Sequence, residues 1–470
     1  MLAFIWDKKW LWVALLIGYG LIAMPTPEGL SPEGQRVLAM SVVATVIFVT
    51  EPIPLPTVAL LIAVAEVFLL GVSSKEVSRS FMSDSVFFIM GSLMLAVALV
   101  KQGLDKRIAL AIIKVTGTKL VWISTGISLV SALLASFIGE HTVAAMMLPV
   151  ALSLISLSGE DPKKIRNVAA ILLFSISYGC SIAGIGTPSG GARNAIMIGY
   201  WADFFGHDNP LYNISYLDWM AYAYPMIFLQ LPFLTVLLFM TFKPEMRDLS
   251  TSVGRLKEEV AKEGPLRGKH YLAIALFAIV LVGWITLSER YGMGTIAILG
   301  AAVYLIFGLV RWEDYNSGVN WGVVLLYAAA ISLGLQMMST GGAAWVAQAF
   351  LGALAPFGFD HGMGLWLAVI LLTTLVTNTM SNGAAVAILG PIVLNMAVGA
   401  GESPLVIGYL TAIASAFAYL TVVGTPACTI VYSSGYLKTT DFLKMGWKMV
   451  IMSTVVMMLF AKLYWPLLGV

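Results

Sequence analysis

At 470 residues the chain is long enough for several soluble domains, but 59% of it is hydrophobic, only 11% is charged and the mean hydropathy is +0.90. Soluble domains carry roughly 25% charged residues, so this balance excludes an ordinary soluble protein and favours one polytopic membrane domain. A formal charge of +2 spread over loops offers no patch for nucleic acid, and two cysteines, Cys180 and Cys428, supply neither a metal-ligand spacing nor a disulfide framework.

The amino terminus places Lys8 and Lys9 ahead of an apolar run that lacks a small-residue cleavage site, so it reads as a retained span rather than a removed signal peptide. A crossing helix takes about 20 mainly apolar residues. Eleven spans are predicted, at 11–25, 36–51, 55–71, 85–101, 165–203, 216–241, 270–287, 294–310, 321–340, 404–436 and 449–468. The fifth and tenth are interrupted at Gly186-Thr187-Pro188 and Gly424-Thr425-Pro426. Two further apolar stretches, 120–157 and 363–400, are too polar at their centres to be ordinary spans. They read as re-entrant hairpins with tips at Gly139-Glu140-His141 and Ser381-Asn382-Gly383. The polar stretch 243–269 is a connector too short to fold alone.

With the amino terminus in the cytoplasm, most of the 27 Lys and Arg fall on that side, against only Arg36, Lys75, Arg79 and Arg290 on the other. Positive charge inside sets topology. The chain is therefore expected to be integral to a membrane, a bacterial inner membrane, with a cytoplasmic amino terminus. Each tip is followed by an apolar run ending in proline (Pro149, Pro391) and then by a Gly-Thr-Pro break, so the chain reads as one plan used twice. Residues 1–35 stand outside the duplication, 36–242 form the first repeat, 243–269 connect, and 270–470 form the second. Five helices and one hairpin per unit place the repeats in opposite orientation, and paired interruptions of this kind mark a transporter's binding site. Broken backbone at membrane depth survives only where protein or a water-filled cavity satisfies it.

Thr50-Glu51-Pro52-Ile53-Pro54-Leu55-Pro56, Gly103-Leu104-Asp105-Lys106-Arg107-Ile108-Ala109, Ala144-Ala145-Met146-Met147-Leu148-Pro149, Gly184-Ile185-Gly186-Thr187-Pro188 and Ser434-Gly435-Tyr436 together resemble the divalent anion/sodium symporter family of di- and tricarboxylate and sulfate carriers. The resemblance covers nearly the whole chain. It implies a homodimer in which a scaffold holds the dimer contacts while a mobile part moves as an elevator. It also implies Ser-Asn-Thr at each tip and a Thr-Pro element at each break, together holding one substrate carboxylate and one sodium ion per half. Carried onto this chain, the substrate contacts are Gly139, Glu140, His141, Thr187, Pro188, Arg193, Asn194, Ser381, Asn382, Gly383, Thr425 and Pro426. The sodium ligands are Glu140, Thr142, Gly186, Thr379, Ser381, Asn382 and Gly424, in one or two sites, with no organic cofactor. Thr377 and Asn378 add oxygen atoms beside the second tip.

The chain also departs from that pattern. In the second half Gly383 replaces a Thr, and Ala427-Cys428 replace Pro-Asn. In the first, Gly139-Glu140-His141 replaces Ser-Asn-Thr, and Gly191-Ala192-Arg193-Asn194 replaces Thr-Pro-Pro-Asn. Three ionisable residues thus enter a site that the resemblance makes neutral. Charges at this depth are costly and usually paired. Glu140 and Arg193 can pair, Glu140 and His141 can exchange a proton, or Arg193 can grip a substrate carboxylate as a fork. The expectation is a secondary carrier of small dianions, C4 dicarboxylates such as succinate, malate or fumarate, with sodium the preferred coupling ion. Proton coupling, dicarboxylate exchange, or sulfate or citrate as cargo are the alternatives. An intramembrane enzyme lacks any motif to complete Glu140-His141, and an anion channel would need a continuous polar pore. Glu66, in the third span, reads as a helix-pairing acid and Glu51 as a helix terminus.

Overall fold

The computed structural model describes residues 8–102, 116–156, 165–206, 209–254 and 268–469. The 103–109 motif and residues 255–267 of the 243–269 connector, with Lys114, Lys163 and Lys164, lie outside the described residues.

Among the described residues the chain is helical, without a strand. Ahead of the first hairpin run α1 (Lys9–Ala23), α2 (Pro32–Thr50), α3 (Leu55–Leu70), a short α4 (Ser74–Phe81) and α5 (Asp84–Lys101). The first hairpin is α6 (Leu120–Ile138) and α7 (Glu140–Ser156), followed by α8 (Arg166–Ala183), a break, α9 (Ala192–Phe205) and α10 (Tyr216–Thr241). The second half opens with α11 (Gly268–Tyr291), α12 (Met293–Ile306), a short α13 (Trp312–Gly318), α14 (Trp321–Ser339) and α15 (Gly342–Leu354). Its hairpin is α16 (Gly362–Thr377) and α17 (Asn382–Ala400), followed by α18 (Pro404–Ala414), a break, α19 (Pro426–Tyr432) and α20 (Thr439–Leu459).

Nine helices among the described residues are long and apolar enough to cross a membrane, so the chain is a polytopic membrane protein. The spans expected at 11–25, 55–71 and 294–310 are helices of 15, 16 and 14 residues, shorter than a perpendicular crossing requires. Helix α1 has the expected length but starts two residues earlier, and α12 is three residues shorter than its span. Helix α15 has no counterpart among the predicted spans, and it meets α16 at a bend of 120°. The last long helix begins at Thr439 rather than at 449. Its charged first turn is satisfied from within the protein: Asp441 accepts from the Lys438 backbone N–H (2.8 Å) and pairs with Arg166 at the start of α8. Glu51 does close a helix, as the C-cap of α2 with φ +43°.

Helix α8 is the axis of the fold, with every residue from Val168 to Ala183 buried. Around it the halves interlock. Helix α19 of the second half packs on α7 and α8 of the first, while α9 of the first half packs on α17 and α18 of the second. Tyr200 on α9 donates its hydroxyl to Ala387 O (2.7 Å), and Trp201 Nε1 donates to Pro404 O (3.0 Å). Their rings fill notches left by Gly390 and Gly408, where a Cβ would collide. Large apolar side chains such as Leu16, Phe68, Phe228, Met240 and Ile306 face outward, as a lipid solvent demands.

Candidate functional site

Both tips and both breaks open on one cavity of about 340 Å³. The first half contributes Gly139, Glu140, His141 and the run Pro188 to Arg193, and the second contributes Ser381, Asn382, Gly383 and Pro426. The facing wall is mostly apolar, with Leu55, Phe88, Ile89, Leu93, Val323 and Leu326 beside Tyr327 and Asn320.

Local sequence accounts for each element of this wall. Gly139, at φ +85°, is the single residue between α6 and α7, a conformation that suits glycine. Ser381 caps α17 by accepting from Ala384 N (3.4 Å). Thr187 caps the 3₁₀ turn Pro188–Gly190 and Thr425 caps α19, each with proline as the next residue. Threonine at the cap and proline at the first helical position are the pattern a helix start favours. Helices α7, α9 and α17 all begin at the cavity, so three sets of free N–H groups and positive dipole ends favour an anion there.

The first half holds a buried ion pair. Arg193 Nη1 lies 2.5 Å from Glu140 Oε1, with side chains 3% and 7% exposed. Ser181 donates to the other Glu140 oxygen at 3.4 Å. Among the described residues Arg193 Nε and Nη2 are buried without a hydrogen-bond partner. Space for the guanidinium is cut into the backbone: a Cβ at Gly184 would stand 2.7 Å from Arg193 Nη2, and one at Gly191 would stand 2.9 Å from Nη1. Asn194 Nδ2 donates to Gly184 O (2.9 Å) and Thr187 O (2.7 Å), and the Thr187 hydroxyl donates to Ser136 O. The carbonyl oxygens of Gly184, Thr187 and Ser136 therefore each have a donor, the Glu140 carboxylate is committed to Arg193, and the buried Asn194 Oδ1 is the oxygen left without a partner among the described residues. One such oxygen beside a guanidinium does not make a sodium site. Of the other expected ligands, Thr142 is half-buried away from the cavity and Gly186 packs on Ile227 and Tyr224 of α10. His141 is exposed along the cavity.

The second half is neutral. One branch of the Asn382 amide lies 2.9 Å from Thr377 Oγ1 and 3.1 Å from both Ser415 O and Gly424 O, and the other lies 3.0 Å from Arg193 Nη1. With its nitrogen toward the three oxygens and its oxygen toward the guanidinium, every contact is satisfied. Arg193 then touches both tips. Turned the other way, four oxygens face one another, where a cation would relieve the conflict, while the amide nitrogen then faces Arg193 Nη1 and gives up that contact. This donor set fits a hard cation such as sodium. Asn378 stitches the hairpin to the break, donating to Thr374 O and Phe417 O and accepting from Leu420 N. Thr379, expected as a ligand, is exposed, with its hydroxyl on Val376 O, and Thr377 stands in its place. Tyr327 and Ser415 escaped sequence reasoning. The signal for Tyr327 was Gly383, since a Cβ there would run into the Tyr327 ring. Ser415 had none beyond its position after an apolar run.

Glu66 lies elsewhere: fully buried, it accepts from Ser332 Oγ (2.6 Å), which meets Ser80 Oγ at 2.7 Å, and so joins α3, α14 and α4. Cys180 and Cys428 are free and buried.

Residues 6–470 match the sequence model of the sodium:sulfate symporter transmembrane region. The chain is 25% identical to the sodium-dependent dicarboxylate transporter SdcS of Staphylococcus saprophyticus, over 94% of this chain and 89% of that protein. It is 26% identical to the sodium-dependent high-affinity dicarboxylate transporter 3 of Caenorhabditis elegans, covering 91% and 83%. An uncharacterized transporter of Haemophilus influenzae is 26% identical over 92% of each chain. Among solved structures, the YdaH transporter of Alcanivorax borkumensis matches with a TM-score of 0.52 and 14% identity over 99% of each chain, a likeness of fold.

Proposed function

The chain belongs to the sodium:sulfate symporter family, and from that premise we propose that it is a secondary carrier of C4 dicarboxylates coupled to sodium through its second half. The observation that carries this reading is the convergence of both hairpin tips on one cavity, with Arg193 between them. A dianion entering there meets three helix starts and, behind them, the Arg193 guanidinium, whose Nε and Nη2 are buried without a partner among the described residues and have to be uncovered by binding. One carboxylate then lies on the Arg193 fork, and the other meets the N–H groups at the start of α17. The apolar wall of Phe88, Ile89 and Leu326 suits the short carbon chain between them. Sodium, when bound, lends positive charge to the second tip, where Thr377, Asn382, Ser415 O and Gly424 O would hold it.

The 36–242 and 270–470 units act as inverted repeats, and the protein works as a homodimer in a bacterial inner membrane, its amino terminus cytoplasmic, by an elevator movement. The positive-inside balance of the loops and the paired tips and breaks support this arrangement.

Uptake of radiolabelled succinate into proteoliposomes under separately imposed sodium and proton gradients tests the proposal. Accumulation driven by sodium is expected. Accumulation driven only by protons, or only by internal dicarboxylate, would replace sodium symport with proton coupling or exchange. Competition by sulfate or citrate stronger than by malate would change the cargo.

A further inference from the structure

We infer that the first half takes no mobile cation, because Arg193 stands there as a tethered one; the inference rests on the carrier reading above. Three independent features of the first half exclude a sodium ion. The Glu140 carboxylate, its only anionic ligand candidate, is 2.5 Å from Arg193 Nη1. The break oxygens Gly184 O and Thr187 O both accept from Asn194 Nδ2, and Ser136 O accepts from Thr187. Finally, the space beside the tip is fitted to a guanidinium, because any side chain at Gly184 or Gly191 would overlap it. A second cation entering here would face a like charge a few ångströms away in a site of low dielectric.

The arrangement differs from a buried salt bridge that only fastens a hairpin to a helix. Arg193 Nη1 is shared with the Asn382 amide of the opposite tip (3.0 Å), and Nε and Nη2 remain free. One fixed charge therefore serves both tips while the second site is empty; sodium there turns the Asn382 oxygen inward and its nitrogen toward Nη1, which ends that contact. The carrier binds a single sodium per dianion, in the second half, where the family resemblance implies one in each half.

The test is sodium binding read by thermal melting of the purified full-length protein, titrating NaCl against choline chloride at constant ionic strength. The wild type is expected to show a one-site sodium response that Thr377→Val or Asn382→Ala abolishes. Arg193→Gln, which keeps much of the stem's packing, is expected to melt lower without sodium and to gain a second sodium-dependent rise. Adding Glu140→Gln to it removes that gain. A wild-type response that survives Asn382→Ala but disappears in Glu140→Gln or Asn194→Ala would overturn the inference. So would an Arg193→Gln protein, folded by gel filtration, that gains no sodium response. A wild type insensitive to sodium whose Arg193→Gln variant becomes sensitive would support the tethered cation and defeat only sodium coupling at the second tip. Succinate uptake, measured separately, decides the carrier reading itself.

Discussion

The two hairpin tips of this protein solve one problem by different chemistry. Each must hold unwound backbone inside a membrane protein and present it to a shared cavity. The second does so with neutral oxygens and an amide, around Thr377, Asn382, Ser415 and Gly424. The first does so with a salt bridge, Glu140 to Arg193, seated against Gly184 and Gly191. On the proposed reading the neutral cradle would exchange a cation with solvent, whereas a side chain cannot leave, so the same architecture would carry one exchangeable charge and one permanent one.

The largest effect is expected from separating the pair. Arg193→Ala leaves a buried carboxylate alone, which destabilises by about 3–5 kcal/mol, and succinate uptake falls by roughly 100-fold or more as the anion's fork is lost. Glu140→Gln keeps the shape and removes the charge, leaving Arg193 unpaired, and it should lower the melting temperature and succinate affinity more than Glu66→Gln, whose acid lies away from the cavity, while both variants keep the wild-type sodium response. Loss of that response in Glu140→Gln would erase the distinction between the halves.

Asn382→Ala comes next. It leaves Ser415 O, Gly424 O and Thr377 Oγ1 without their shared partner, about 1–3 kcal/mol by the usual penalty for buried polar groups. Sodium-dependent melting should disappear while the fold remains. The glycines give a third contrast. Gly184→Ala pushes on the ion pair and Gly383→Ala pushes on Tyr327, each an overpacking of about 1–3 kcal/mol. Substrate affinity should suffer more from Gly184→Ala, measured by succinate protection against heat. The caps differ less: Thr187→Val loses a cap and a bond to Ser136 O, Thr425→Val loses chiefly its cap. Each is worth about 0.5–2 kcal/mol, the first being larger in denaturant unfolding.

Away from the membrane the effects shrink. The Lys101 ammonium and the Arg311 backbone N–H hold the half-buried Asp314 carboxyl below its ordinary 3.8. A lowered carboxyl stabilises above the unfolded value and loses that contribution as the pH falls through the folded one. Lys101→Met should therefore change the melting temperature slightly at neutral pH and not at all in strong acid.

Both hairpins and both breaks were legible because polar residues within long apolar runs are costly in lipid, and are kept where backbone unwinds or a cavity is lined. The hairpin bounds of 363–400 against helices that run from Gly362 to Ala400 show how sharp that signal is. Helix α15 was not legible. Its apolar residues followed Gly341-Gly342 without a charge to mark a boundary, and its packing on α17, α14 and α2 gives it a place. Among site residues the sequence singled out the ionisable intruders, since Glu140 and Arg193 are conspicuous at that depth. It could not show that Thr377 rather than Thr379 turns inward, because residues two apart on a helix face different ways. Nor could it reveal carbonyl ligands such as Ser415 O, which depend on where the backbone unwinds and not on side-chain identity.

The interlocking of the halves has a consequence for biogenesis. Tyr200 finds its acceptor, Ala387 O, 187 positions further along the chain. At about 5–20 residues per second of synthesis, α9 emerges roughly 10–40 s before the helix that receives it exists. During that interval the Tyr200 hydroxyl and the Trp201 indole have to be sheltered by lipid headgroups, the insertion machinery or a chaperone. A ribosome stalled between the two halves would leave the amino-terminal portion with α9 undocked, a form exposed to quality-control proteolysis.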